Sequence, residues 1–398
     1  MITKLFIENY RSIQKAELPL GKINILTGAN NSGKSSVIYA ALTLRNFVNN
    51  PNQSLDAVLS FPFIDLGGYE KIIYDQGDYG YIKTGIELDT DDVHQKYHVN
   101  FSIQSAPTIW FEGIKPYAFK TWLNIAFPYS LGKSEIINFD KKIDVSWNGL
   151  FAQKVQIVEG FSTPQEKVNQ IEAIINTPTQ VINSIDFIPP QRIFSKTYFS
   201  YVPINGDILV EEQVASLIAR DNDLERNIAY YFDKIVGKKF IVERVGGVSY
   251  FYLKTVDKQT GFTTDLVNEG TGINQLVTIL AKTLKKGSDF ICIDEPEIHL
   301  HPTYISRLAK VLVEIAENEN KQFLISTHSE HLVSSLLNLL ITKDLKPDDL
   351  HVFYCSKKGK TTEIEQQEVN DKGQIAGGFK SFIDAEMDNL ATLFKIAK

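Results

Sequence analysis

The sequence predicts an α/β fold: a mixed, largely parallel sheet flanked by helices, with an antiparallel β-subdomain and a helical insertion. Three observations carry that prediction. The apolar run INIL ends in the glycine-rich stretch GANNSGKSS, and Val37, Ala41, Leu44 and Val48 follow at helical spacing. Toward the C-terminus, apolar runs (DFICID, QFLIS, LHVFYC) alternate with helix-like segments (INQLVTILAKTLKK, SRLAKVLVEIAE, HLVSSLLNLL), which implies parallel strands joined by helical crossovers. Between these two regions the texture is first strand-like and then helical.

In chain order, TKLFIENY and KAELPL read as two short strands leading into INIL, and Pro51 marks the exit from the first helix. From Gly80 to Val158, GYIKTGIEL, KYHVNFSIQ and TIWFEG read as strands, and IDVSWNGLFAQKVQIV as a hairpin turning at Asn148-Gly149. Asp89-Thr90-Asp91 falls in a polar turn within this meander. Val168, Ile171 and Ile175 share one face of a short helix. Val214, Leu217, Ile218 and Ile228 fit another between Val210 and Phe232, and FIVERVGGVSYFYLK reads as a second hairpin. The expected organisation is an N-terminal core with the glycine-rich loop (1–60), the β-subdomain (61–160), the helical insertion and hairpin (161–260), the C-terminal part of the core (261–345) and a small closing segment (346–398).

A chain of 398 residues with 43% hydrophobic content is long enough for a full core and two or three domains. The formal net charge of -7 advertises no general nucleic-acid surface, so Lys238-Lys239 and Lys357-Lys358 read as solvated faces. Cys292 and Cys355 sit singly among apolar residues, as core filler in a reducing compartment. Neither a signal peptide nor a run of about twenty apolar residues stands out, and a cytoplasmic location with no membrane contact is expected.

Gly28 to Ser35 spell G-x-x-x-x-G-K-S between a strand and a helix. Such a loop turns backbone N–H groups toward phosphate oxygens, and the helix N-terminus adds positive partial charge. The candidate nucleotide-binding residues are Gly28, Asn30, Asn31, Ser32, Gly33, Lys34, Ser35 and Ser36. Lys34 would hold the outer phosphates, and the Ser35 hydroxyl would ligate Mg2+. Hydrolysis also needs a metal carboxylate and a group that activates water. DFICIDEPEIHLHP supplies both, with Asp294 at the end of a buried strand as the second metal ligand and Glu295 as the candidate general base. His328 lies just beyond QFLIS, and the ends of parallel strands converge on one crevice. His299 and His301 lack further ligands at telling spacing and are read as a structural or interface turn.

The phosphate loop, DEPEIHLHP and STHSE together resemble the ABC-type ATPase heads of the SMC/RecF/OLD group, in the AAA-type branch found in bacterial and phage-defence operons. The resemblance covers Met1 to about Ala40 and about Asp265 onward. It implies ATP with Mg2+ and a homodimer or higher oligomer. In such an assembly, one subunit presents a glycine-containing signature to nucleotide held by the other. LVNEGTGINQL matches that signature, with Asn268 where a serine is usual, Gly270 at the glycine, and Gly272 with Asn274 as a competing register. NYRSI resembles the family's opening segment, which puts Arg11 near nucleotide. FIPPQR ends in an arginine of the family type, Arg192, without an assigned role, and GQIAGGFKSFIDAEM resembles a closing segment of such ATPases. Neither the coiled-coil arms of SMC proteins nor the nuclease domain of full OLD proteins is expected. The functional expectation is a regulatory ATPase that controls a separate effector, a nuclease or toxin, in antiphage defence. The alternative is a RecF-like repair ATPase that binds DNA.

Overall fold

The computed structural model describes residues 1–76, 80–139, 143–158, 164–204, 210–247, 249–370 and 372–375. Two compact units interleave along the chain. The first holds Met1–Gly21, Asn30–Ile185 and Ser356–Ile364; the second holds Lys22–Ala29, Asp186–Cys355 and Glu365–Lys398.

The chain opens with β1 (Lys4–Tyr10), β2 (Ile13–Pro19), β3 (Ile23–Thr27) and α1 (Lys34–Asn49), then two single-turn helices, α2 (Leu55–Val58) and α3 (Tyr69–Ile72). A run of strands follows: β4 (Ile82–Asp89), β5 (His94–Phe101), β6 (Thr108–Lys115), β7 (Phe119–Asn124), β8 (Glu135–Phe139), β9 (Ile143–Trp147) and β10 (Ala152–Ile157). Next come α4 (Gln165–Asn183), β11 (Ile185–Ile188), β12 (Phe199–Ser200), α5 (Glu211–Arg220), α6 (Asn222–Val236), β13 (Lys238–Arg244), β14 (Tyr250–Asp257) and β15 (Thr263–Asp265). The remainder is α7 (Thr271–Leu284), β16 (Phe290–Asp294), α8 (Pro302–Asn318), β17 (Gln322–Ser326), α9 (Glu330–Ile341), β18 (Leu350–Lys358) and β19 (Thr361–Gln367).

In the first unit an antiparallel sheet runs β2-β1-β4-β5-β6-β7. The period-2 pattern decides its faces. Leu5, Ile7, Ile86, Val99 and Phe111 are buried on one side, where Phe47 of α1 meets Phe101 edge-on at 5.7 Å. The opposite face carries one cross-strand row, Phe6, Gly85, His98, Trp110 and Trp122. A side chain at Gly85 would collide with His98, which itself stacks on Trp110 at 5.8 Å, and Trp110 stacks on Trp122 at 5.3 Å.

Burial, reinforced by the charges of Lys83 and Lys120, pushes the His98 imidazole down to about 3. An unfolded histidine titrates near 6.5, so the stability held by the neutral ring is present above about pH 6.5 and is lost as pH falls toward the folded value. The slope is on the order of 1 kcal/mol per pH unit. Melting curves followed by circular dichroism should therefore show wild type losing stability between about pH 6.5 and 4.5 more steeply than His98→Gln. Parallel curves for the two proteins would remove His98 as the cause.

In the second unit the sheet order is β11-β16-β17-β3-β18, and β16, β17, β3 and β18 run parallel in register. Strands β3, β16 and β17 are buried at every position, as a sheet covered on both faces requires. Leu276 and Leu280 of α7, Leu308 and Leu312 of α8 and Leu336 of α9 join Ile25, Ile293 and Ile325 in one core. A separate antiparallel group, β12-β14-β13 with β15 on β14, contains the hairpin expected at Gly246-Gly247. Beta strands β9 and β10 likewise pair across Asn148-Gly149.

The single helix expected between Val210 and Phe232 is instead two. Asp221 leaves the helical region at φ -110, ψ 101, and its carboxylate accepts from the Asp223 and Leu224 N–H groups at 3.0 Å each. An aspartate inside an apolar periodicity thus starts a new helix by capping it. Cys292 and Cys355 are both buried. Among the described residues no helix is long and apolar enough to cross a membrane. Residues from Ala376 onward, with most of the GQIAGGFKSFIDAEM stretch, lie outside the described residues.

Candidate functional site

The second unit assembles one edge of its sheet from adjacent strand ends. Asp294, Ser326, Leu26 and Phe353 form one row across β16, β17, β3 and β18. The ladder runs one residue further: Glu295 N–H donates to the Ser326 carbonyl and Thr327 N–H to the Leu26 carbonyl, both at 3.0 Å. Gly28, Glu295 and His328 therefore emerge together at the carboxyl ends of parallel strands. Ser326 Oγ donates to the Asp294 carboxylate, which is 6% exposed. Glu295 adopts φ +50, a left-handed conformation uncommon for a residue with a Cβ, and its Oε1 lies 3.4 Å from His328 Nε2.

Two neighbours hold this edge in place. Glu297 accepts from Thr327 Oγ1 at 2.6 Å and from the His328 N–H at 2.9 Å, and burial raises its carboxyl above the usual range. Sequence reasoning passed over Glu297, although its place two residues after Glu295 is the available signal. Arg192 is 5% exposed and donates from Nη1 to the Pro189 and Asp294 carbonyls at 2.8 and 2.9 Å, and from Nη2 to the Glu295 carbonyl at 2.7 Å. Burial lowers its guanidinium to about 10. His301 caps α8 through Nδ1, which accepts from the Thr303 N–H at 3.3 Å, ahead of Pro302 in the first turn.

Asn268 and Gly270 lie exposed at the N-terminal end of α7, and nothing stands within 4 Å of where a Gly270 Cβ would be. Glu269 between them turns inward, paired with Lys238 Nζ at 2.6 Å. Gly272, the glycine of the competing register, is the second residue of α7. It is buried, and a Cβ there would strike the His299 carbonyl, so the glycine serves the close approach of α7 to the loop after β16. Asn274 is also internal, accepting from Phe194 N–H at 2.8 Å and donating to the Phe194 carbonyl at 2.9 Å and the Leu266 carbonyl at 3.1 Å.

The chain passes from the second unit to the first between Ala29 and Asn30. In the first unit, Asn31 at φ +63 and Gly33 at φ +101 place left-handed residues in the loop, and Gly33 caps α1. Such turns direct successive N–H groups into a concavity. Lys34 (6% exposed) begins the helix, followed by Ser35 and Ser36. Thr362 braces the loop from behind: its Oγ1 donates to the Ser32 carbonyl at 3.0 Å and meets Ser12 Oγ at 2.7 Å. A side chain at Gly33 would strike Thr362.

A cavity of about 550 Å³ adjoins Asn31, Gly33 and Ser36, and Arg11, Lys71, Lys357 and Lys360 also line it. Arg11 stands 5.6 Å from the Tyr39 ring centroid, and Lys360 pairs with Asp75 at 2.6 Å. Lys357, expected on a plain solvated face, belongs to this wall.

The fold is that of a P-loop ATPase head and is similar to the heads of SMC proteins. A solved SMC head bound to the C-winged helix domain of ScpA superposes with a TM-score of 0.55 at 14% identity, over 92% of this chain and 97% of that one. An SMC head with an extended coiled coil, bound to the C-terminal domain of ScpA derived from Pyrococcus furiosus, gives 0.50 at 11% identity over 100% and 99%. The chain belongs to the AAA ATPase domain family, whose pattern matches residues 1–188 and 133–333. No curated protein matches it.

Proposed function

We propose that the protein binds and hydrolyses ATP, closes as a dimer around the nucleotide and reports that state to a separate protein. The observation that carries the reading is the shared strand edge from which Gly28, Asp294, Glu295 and His328 emerge. The N–H groups of Asn30 to Lys34 receive phosphate oxygens, and the Lys34 ammonium binds the outer phosphates. The Ser35 hydroxyl and the Asp294 carboxylate are the oxygen ligands assigned to Mg2+, which when bound would offset phosphate charge. Glu295 accepts the proton of the attacking water, and His328, beside it, donates toward the terminal phosphate. Arg11 and the lysines of the adjoining cavity favour the anionic nucleotide.

Asn268 and Gly270 supply the contact to nucleotide held by the second subunit. Their exposure, with Glu269 turned inward, supports this assignment. Once phosphate leaves, that bridge is lost and the dimer opens. The two SMC heads of similar fold were each solved with a ScpA domain, which supports a head whose state is read by a bound protein. The likeness to defence-operon ATPases directs the search for that protein to nucleases and toxins.

Light scattering on size-exclusion eluates, with Mg2+ and a slowly hydrolysed ATP analogue, tests the dimer. Wild type should shift from monomer to dimer. Gly270→Asp should stay monomeric while binding the analogue within about threefold of wild type, because the new carboxylate repels phosphate only across the interface. Equal dimer formation by this variant would overturn the role assigned to Gly270.

A further inference from the structure

Arg192 is the one buried cation among the described residues whose two terminal nitrogens both end on main-chain carbonyls of the Asp294-Glu295 pair. Its own segment is held in turn by α7. Thr278 Oγ1 donates to the Arg192 carbonyl at 3.0 Å, and Asn274 brackets Phe194 with one accepted and one donated bond. These contacts connect α7, the helix that Gly270 caps, to the backbone of Glu295 through one short segment, 189–194.

We infer that Arg192 is a positioning residue for hydrolysis, fixing the left-handed backbone of Glu295 against α7. The inference rests on the reading of Glu295 as the general base. Carbonyls at a strand end that leave the ladder need donors, and a planar guanidinium can serve adjacent ones with a fixed fork. Removing it frees the Glu295 peptide to relax from φ +50, and a carboxylate displaced by about 1 Å loses on the order of 100-fold in rate. Arg192 itself need not touch nucleotide.

The test uses the protein with Arg192→Ala, Thr278→Val and Glu295→Gln. In single-turnover assays at saturating Mg2+ and ATP, Arg192→Ala should hydrolyse about 100-fold more slowly, with affinity for a fluorescent ATP analogue kept within about threefold. Thr278→Val, which loses only the tie to α7, should lie between it and wild type. Added guanidinium ion should restore part of the rate to Arg192→Ala and none to Glu295→Gln. Without nucleotide, hydrogen exchange of Arg192→Ala should quicken at least about tenfold at the Glu295 amide while Ile291 to Ile293 stay protected.

Normal hydrolysis by Arg192→Ala alongside a defective Glu295→Gln would overturn the role of Arg192 alone. Normal hydrolysis by Glu295→Gln would overturn the assignment of the base, and this inference with it. Loss of affinity in step with rate, without guanidinium rescue, would mean a general packing role and would also overturn it. Should Arg192→Ala fail to fold, Thr278→Val decides: wild-type rate and exchange in that variant would sink the link to α7.

Discussion

Lys34→Ala is expected to weaken ATP binding by about 100- to 1,000-fold and to abolish nucleotide-dependent dimerisation. Lys34 is the first residue of α1, directly after the left-handed Gly33, at the end of the loop that precedes the helix. Its ammonium would make charge-assisted bonds to the outer phosphates, each worth about 1.5–3 kcal/mol, and every 1.4 kcal/mol is tenfold in affinity. Losing two such bonds toward the lower end of that scale, about 3–4 kcal/mol together, gives the stated range. Alanine is a good residue for a first helical turn, so a fold defect should not mimic the loss. Isothermal titration with Mg2+ and a slowly hydrolysed analogue checks it, with circular dichroism as the control on folding. Affinity within threefold of wild type would mean that the loop cradles something other than the nucleotide that drives closure.

Glu295→Gln separates binding from chemistry. Glutamine keeps the length of the side chain, the bond from the residue 295 N–H to the Ser326 carbonyl and the one from Arg192 Nη2 to its carbonyl. What it lacks is a basic oxygen. General-base catalysis commonly contributes about 10²–10⁴-fold, so phosphate release should fall by that factor while nucleotide affinity stays within a few-fold. Dimers should then persist in ATP far longer than those of wild type, because the bridging phosphate is not removed. Unchanged phosphate release would move the base elsewhere and would leave Glu295 a structural acid beside His328.

The ease of reading different parts of this site in the sequence follows from how local each one is. GANNSGKSS needs only its own residues: glycines that accept positive φ, a strand before and a helix after. DFICIDEPE is similarly self-contained, since five buried strand residues end at a carboxylate whatever lies beside them. Signature residues were half legible. LVNEGTGINQL shows two glycines, and only packing against the His299 carbonyl distinguishes buried Gly272 from open Gly270. Asp221 misled for the opposite reason, because the apolar periodicity continued across it while its carboxylate capped a new helix.

By itself the sequence determined the strand-loop-helix at Gly28 to Val48, the acidic strand end at Asp294-Glu295, the two hairpins and the alternation that makes a parallel sheet. Each rests on neighbours within a few residues, where backbone geometry and side-chain period act directly. Tertiary structure decided which strands adjoin. It set β3 between β17 and β18, brought Arg192 to a carbonyl 102 positions away and placed Thr362 behind a loop 330 positions earlier. Those choices depend on burying apolar faces from distant segments together and on pairing every main-chain group left inside. A linear pattern does not encode such partners, and the folded chain has to find them.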